Sequence, residues 1–159
     1  MGALVMGIGN ILLMDEAAGV KVIENLLSRY IFPADVEVID GGTMGIELLD
    51  YLQNKQHVYV ADAAKTGNVP GTVVRLEKDA VPAFFTTKIS PHQLGLSDLL
   101  AVAMLTNSMP ENIIFFGIEP KIMETGLDLS EEVQGKISGV ADMIVKELRM
   151  NGYNIEAKG

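Results

Sequence analysis

The stretch from Leu4 to Val20, LVMGIGNILLMDEAAGV, constrains the fold more than any other part of the chain. Leu4, Val5 and Met6 read as a buried strand, and Gly7 and Gly9 mark a tight exit from it. Asp15 then reads as the N-cap of a helix whose face is carried by Ala17, Ala18, Val20, Ile23 and Leu27 and which ends near Tyr30. Glu16 is thereby set at the mouth of a strand-to-helix turn, the place where open α/β sheets hold ligands. A dinucleotide fingerprint would need a third glycine where this chain has Leu12, and a pyrophosphate would face Asp15 and Glu16 as like charges. The turn therefore favours a cation over a nucleotide.

Four more strands follow from the same reasoning. Val36–Ile39 is an apolar run ending at Asp40-Gly41-Gly42-Thr43, with Thr43 read as the cap of a second helix through Met44, Glu47, Leu48 and Leu52. His57–Asp62 is apolar on both faces, as a central parallel strand is, and ends on a carboxylate. The connection from Asp62 to the next strand, Thr72–Leu76, is shorter than the dozen or so residues of a parallel crossover, so that strand is expected antiparallel and at an edge. Glu77–Ile89, with Pro82 and without clear periodicity, reads as a loop. Ser90-Pro91-His92-Gln93 has the marks of a helix start: Ser90 as N-cap, Pro91 in the first helical position, Gln93 closing a capping box. That helix runs to about Asn107, Asn112–Ile118 is the fifth strand, and Val133, Ile137, Val140, Ile144 and Leu148 mark a closing amphipathic helix begun near Ser130. The sum is an α/β chain: a three-layer αβα sandwich over a mostly parallel five-stranded sheet ordered 2-1-3-5-4, the fourth strand antiparallel. Its switch point falls between strands one and three, flanked by Glu16 and Asp62.

Composition narrows the partners. The chain of 159 residues is 48% hydrophobic and reads as one domain over 1–159. Its 12 basic against 21 acidic residues give a formal charge of −9, which disfavours nucleic acid and anionic membranes. With no cysteine there is no disulfide, thiolate metal site or cysteine nucleophile. The N-terminus enters a strand without a basic leader, and no apolar run reaches the ~20 residues of a membrane span, so the expectation is a cytoplasmic protein without membrane insertion.

The chemistry-bearing residues are then few. Glu16 and Asp62 share one sheet edge, although each also reads as an ordinary helix-start or strand-end acid. His92 lies in a first helical turn, where the dipole favours the neutral ring that a metal requires, or where it simply caps. His57, at the other edge, reads as structural. Two carboxylates and an imidazole would leave open positions on a divalent ion such as zinc or nickel. Asp40, Gly41, Gly42 and Thr43 read either as a plain turn or as part of the site's lining.

Five blocks carry a resemblance across nearly the whole chain: GIGNILLMDEAAGV, DGGTMGIELL, VYVADA, PGTV and TTKISPHQLGL. In this order they resemble the [NiFe]-hydrogenase maturation endopeptidases. The resemblance implies a protease, aspartyl-type or metal-dependent, that removes a C-terminal extension from a hydrogenase large-subunit precursor after nickel insertion. It implies Glu16, Asp62 and His92 as metal ligands and catalytic residues. Nickel, supplied by the substrate, is the implied recognition signal, with zinc or cadmium expected to substitute in vitro. Asp40 and Gly41-Gly42-Thr43 are assigned to the peptide, and a monomer is expected. Two rivals of other classes are a non-catalytic nickel chaperone or checkpoint for hydrogenase assembly, and a small nucleotide-binding module.

Overall fold

The computed structural model of the protein describes residues 2–87 and 94–159. Five strands form the sheet: β1 (Gly2–Ile8), β2 (Val36–Gly42), β3 (Lys55–Ala63), β4 (Val73–Glu77) and β5 (Asn112–Ile118). Their order is β2-β1-β3-β5-β4, with only the β4–β5 pairing antiparallel, which is the order and sense expected from the sequence. The helices are α1 (Ala18–Arg29), α2 (Leu49–Leu52), α3 (Ala80–Thr87), α4 (Leu94–Leu105), α5 (Glu131–Gln134) and α6 (Ile137–Met150). A short ribbon, Tyr30–Ile31 against Glu156–Ala157, ties the end of α1 to the C-terminal segment.

Alternation along the strands builds two cores. Ala3 and Val5 of β1, Tyr59 and Ala61 of β3, and Ile114 and Phe116 of β5 pack against Val22, Ile23 and Leu26 of α1 and Val140, Ile144 and Leu148 of α6. Their neighbours Leu4, Met6, Val58, Val60, Ile113 and Phe115 face the other way, onto Leu48 and Leu52, Val81 of α3, and Leu99, Leu100 and Ala103 of α4. Asp62 continues the alternation of Val58 and Val60 at the end of β3.

The α1 face lies unusually close to the sheet. A Cβ on Gly19 would run into the carbonyl oxygens of both Ala61 and Ile8, groups fixed by β1 and β3. Gly19→Ala is therefore expected to destabilise the protein by about 2–3 kcal/mol, because rigid backbone on both sides leaves no room for relaxation. Urea denaturation checks this, and a cost below ~1 kcal/mol would show that α1 can slide off the sheet.

Three local readings are corrected. Residues 80–87, expected as loop, form α3; Pro82 sits in its first turn, where its missing N–H has no intrahelical acceptor to lose, and Phe84 stacks on Phe115 with ring centroids 6.0 Å apart. Thr43 caps no helix. The Met44 N–H donates to the Gly41 carbonyl at 2.9 Å, Gly42 takes φ +50°, and the helical turn opens only at Ile46, where the Gly45 N–H donates to the Glu47 carboxylate at 2.9 Å. Asp15 makes no cap on α1 either: that helix starts at Ala18 after a 3-10 turn, Met14–Ala17, and has no side-chain cap. The helix expected from near Ser130 does start there, the Ser130 Oγ accepting from the Val133 N–H at 3.4 Å, but only as the four-residue α5, and the amphipathic α6 begins at Ile137. The capping box called at Ser90-Pro91-His92-Gln93 lies outside the described residues.

Candidate active site

The carboxyl ends of β1, β2 and β3 share one edge of the sheet. Gly7 pairs with Asp40 on one side and Ala61 on the other, and Asp62 stands opposite Gly117 of β5. β1 leaves the sheet through Gly9, at φ +146°, whose missing Cβ makes room for the carbonyl of Glu16. The chain then turns into the Met14–Ala17 segment, which packs on β3. This geometry brings Glu16 back over the strand ends beside Asp62.

Both acids are buried, Glu16 being 5% and Asp62 2% exposed. Asp62 Oδ1 accepts from the Ala63 N–H at 2.8 Å, while its buried Oδ2 has no hydrogen-bond partner among the described residues. Burial pushes the Asp62 carboxyl well above the usual carboxylate range; the Ala63 hydrogen bond opposes this and the charge of nearby Glu16 adds to it. A desolvated carboxylate with an unmatched oxygen beside a second acid suits a cation or a shared proton. Among the described residues no three histidines, cysteines or acids form a metal-binding cluster. The third ligand called from the sequence, His92, lies outside the described residues.

Asp40 is exposed at the adjacent strand end, its Oδ1 accepting from the Gly42 N–H at 2.8 Å. The Gly42 carbonyl accepts from the Gly9 N–H at 2.8 Å, so the Asp40-Gly41-Gly42-Thr43 turn is joined directly to the loop leading to Glu16. His57 sits at the opposite edge, Nδ1 3.0 Å from the Tyr153 hydroxyl. A crevice of about 230 Å³ opens there, lined by Tyr59, Arg75, Lys78 and Glu147 among others. Its Arg75 is already matched by Glu147 at 2.7 Å and Glu77 at 3.3 Å, which leaves little charge for a ligand.

Two acids at the site edge have roles that the sequence reading missed. Asp15, fully buried, accepts from the Ser130 N–H at 2.7 Å with Oδ1, and from the N–H groups of Lys121 at 2.8 Å and Ile122 at 3.0 Å and the Ser130 hydroxyl at 2.8 Å with Oδ2. Burial pushes its carboxyl up, but these hydrogen bonds outweigh burial and hold it below the usual range. Glu119, at the end of β5, is buried and accepts from the Thr66 and Asn68 N–H groups and the Thr66 hydroxyl. Its signal was available: a carboxylate directly after the apolar run Asn112–Ile118 occupies the same kind of position as Asp62.

No helix among the described residues is long and apolar enough to cross a membrane. A family model described as HycI, hydrogenase maturation protease, matches residues 20–147. The hydrogenase 2 maturation protease of Escherichia coli (strain K12) is 44% identical over 153 residues, spanning 96% of this chain and 93% of that protein. The hydrogenase expression/formation protein HupD of Rhodobacter capsulatus is 38% identical over 154 residues, spanning 96% and 73%. Among solved structures, the hydrogenase maturating endopeptidase HybD from E. coli matches with a TM-score of 0.94 at 42% identity, covering 99% of this chain and 98% of that one. The [NiFe] hydrogenase maturation protease HybD from Thermococcus kodakarensis matches with a TM-score of 0.76 at 25% identity, covering 92% and 98%. With the fold matched along its whole length and the family model spanning residues 20–147, the chain belongs to the hydrogenase maturation protease family of endopeptidases.

Proposed function

We propose that this protease removes the C-terminal extension from the large-subunit precursor of a [NiFe] hydrogenase after nickel insertion, and that nickel carried by the precursor is what it recognises. The observation that carries the reading is the buried pair at the sheet edge, Asp62 with an oxygen that has no hydrogen-bond partner among the described residues and Glu16 beside it. Such a pair has donor capacity that a substrate-borne divalent ion can use, with His92 as the third ligand and zinc or cadmium as stand-ins in vitro. The ion supplies Lewis-acid polarisation of the scissile carbonyl or of a bound water. The chain's own contribution is to hold two carboxylates in a dry edge, one of them able to take a proton there. Asp40 and the Gly41-Gly42-Thr43 turn lie alongside, where the peptide would run. A cytoplasmic monomer acting on one precursor at a time fits this scheme.

The test is mass spectrometry of the precursor, nickel-loaded and nickel-free, after incubation with the protein. Loss of the tail from the nickel-loaded form alone is expected, and His57→Ala, far from the edge, should process as the wild type does. Equal processing of both forms would remove nickel from recognition. No cleavage of either, with nickel retained in a stable complex, would favour the non-catalytic chaperone.

A further inference from the structure

The segment that follows β5 is bonded on both of its sides to the loops that carry the two site acids. On one side the Ala64 N–H donates to the Ile118 carbonyl at 3.0 Å, the Gly71 N–H to the Glu119 carbonyl at 2.8 Å, and the Glu119 N–H to the Thr72 carbonyl at 2.8 Å. The Glu119 carboxylate adds the Thr66 N–H at 2.7 Å, the Asn68 N–H at 3.3 Å and the Thr66 hydroxyl, all on its Oε1. The loop leaving Asp62 is thus moored on Glu119. On the other side Gly126 donates to the Leu12 carbonyl at 2.9 Å and accepts from the Met14 N–H at 3.1 Å, and the Asp15 N–H donates to the Ile122 carbonyl at 2.9 Å. The Asp15 carboxylate completes that side by gripping Lys121, Ile122 and Ser130. Between these bonds Met14 is held at φ 45°, a left-handed conformation that persists only where its surroundings over-determine it.

The separation of the two acids is set by the loops that bear them, and both loops are bonded to this one segment. We propose that the strap from Glu119 to Ser130 is the positioning device of the active site: it fixes the separation of Glu16 and Asp62, with Glu119 acting through the Asp62 loop and Asp15 through the Glu16 turn. Charge-assisted bonds from buried carboxylates to backbone N–H groups are short and directional, which suits them to this task. Glu119 is the informative handle, because it lies across the strap from Glu16 and one of its oxygens takes all three bonds.

This inference rests on the protease reading, and the experiment separates the two. Processing of nickel-loaded precursor is measured with wild type, Glu119→Ala, Glu119→Asp and Glu119→Gln, well below each variant's melting temperature and with folding verified by circular dichroism. Glu119→Ala should lose about tenfold to a hundredfold in kcat, the scale of a misplacement near 1 Å, with KM changed by less than about threefold. Glu119→Gln, which keeps the accepting oxygen, should restore kcat to within about threefold of wild type. A merely structural glutamate would lower the melting temperature and leave kcat of the folded protein alone. Should the alanine variant fail to fold, Glu119→Asp, which keeps the charge but draws the loop inward, must show the kcat loss. Wild-type kcat in a folded Glu119→Ala or Glu119→Asp overturns the strap, and a wild-type protein that cleaves no precursor overturns the protease reading together with it.

Discussion

Asp62→Asn is expected to lower the processing rate by about 10² to 10⁴-fold, the range over which a positioned proton-transfer group or its equivalent contributes, while leaving the protein folded and no less resistant to heat. The two halves of that expectation come from one fact. Asp62 is 2% exposed and its Oδ2 has no hydrogen-bond partner among the described residues, so the ionised form is held at a cost. Asparagine keeps the oxygen that accepts from Ala63 and replaces the carboxylate with an uncharged amide, which removes the cost of burying the ionised form. The sign of the pH effect follows. An acid whose pKa is higher in the folded than in the unfolded chain holds its proton more tightly when folded, so its ionisation removes stability as pH rises from the ordinary carboxylate range toward the raised value. In metal-free protein the melting temperature of Asp62→Asn relative to wild type should therefore climb as pH rises above the ordinary carboxylate range. Activity that needs a destabilised group is a familiar trade. Glu16→Gln and His92→Ala should lose activity on the same scale. Full processing by Asp62→Asn would remove this carboxylate from the chemistry, whatever its effect on stability.

The second large effect is on the fold. Asp15→Ala is expected to cost about 4 kcal/mol, near the upper end for single substitutions, because three backbone N–H groups and a hydroxyl lose a charged acceptor together. Asp15→Asn should be almost as damaging. Its amide would point N–H groups at N–H groups on one of the two oxygen positions, both of which are now used as acceptors. The pH dependence runs opposite to that of Asp62. Hydrogen bonds outweigh burial and hold the Asp15 carboxyl below its ordinary value, so the unfolded chain binds the proton more tightly, and the stability it contributes is present above the ordinary carboxylate range and lost as pH falls from that range through the lowered value. Urea denaturation at several pH values checks both points. A loss under ~1 kcal/mol, or an unchanged acid limb in Asp15→Ala, would mean that the strap holds without it.

These two acids also show where a sequence can be read and where it cannot. Asp62 was legible because its place depends on a local pattern: an apolar run buried on both faces must be a central parallel strand, and the residue ending it must lie on the ligand edge. Glu16 was legible from a different local pattern, the Gly7 and Gly9 exit from the first strand followed by a helical face, and the nine residues from Ala63 to Gly71 between the third and fourth strands decided the antiparallel edge strand. Residues 80–87 were misread because Pro82 breaks the pattern that identifies a helix, although at a first turn it does not break the helix itself.

Asp15 was placed correctly and given the wrong work. Next to an apolar helical face an aspartate reads as an N-cap, since the nearest N–H groups in sequence belong to that helix. Its actual donors come from Lys121, Ile122 and Ser130, more than a hundred residues away, and reach it because β5 delivers the following segment to the same sheet edge. Periodicity, strand ends and connection lengths are properties of neighbours along the chain, so the sequence by itself determined the sheet order and the edge on which the acids lie. Which buried carboxylate keeps an oxygen without a hydrogen-bond partner among the described residues and which serves as a clasp depends on the donors brought opposite each one, and only the packing of the finished sheet decided that.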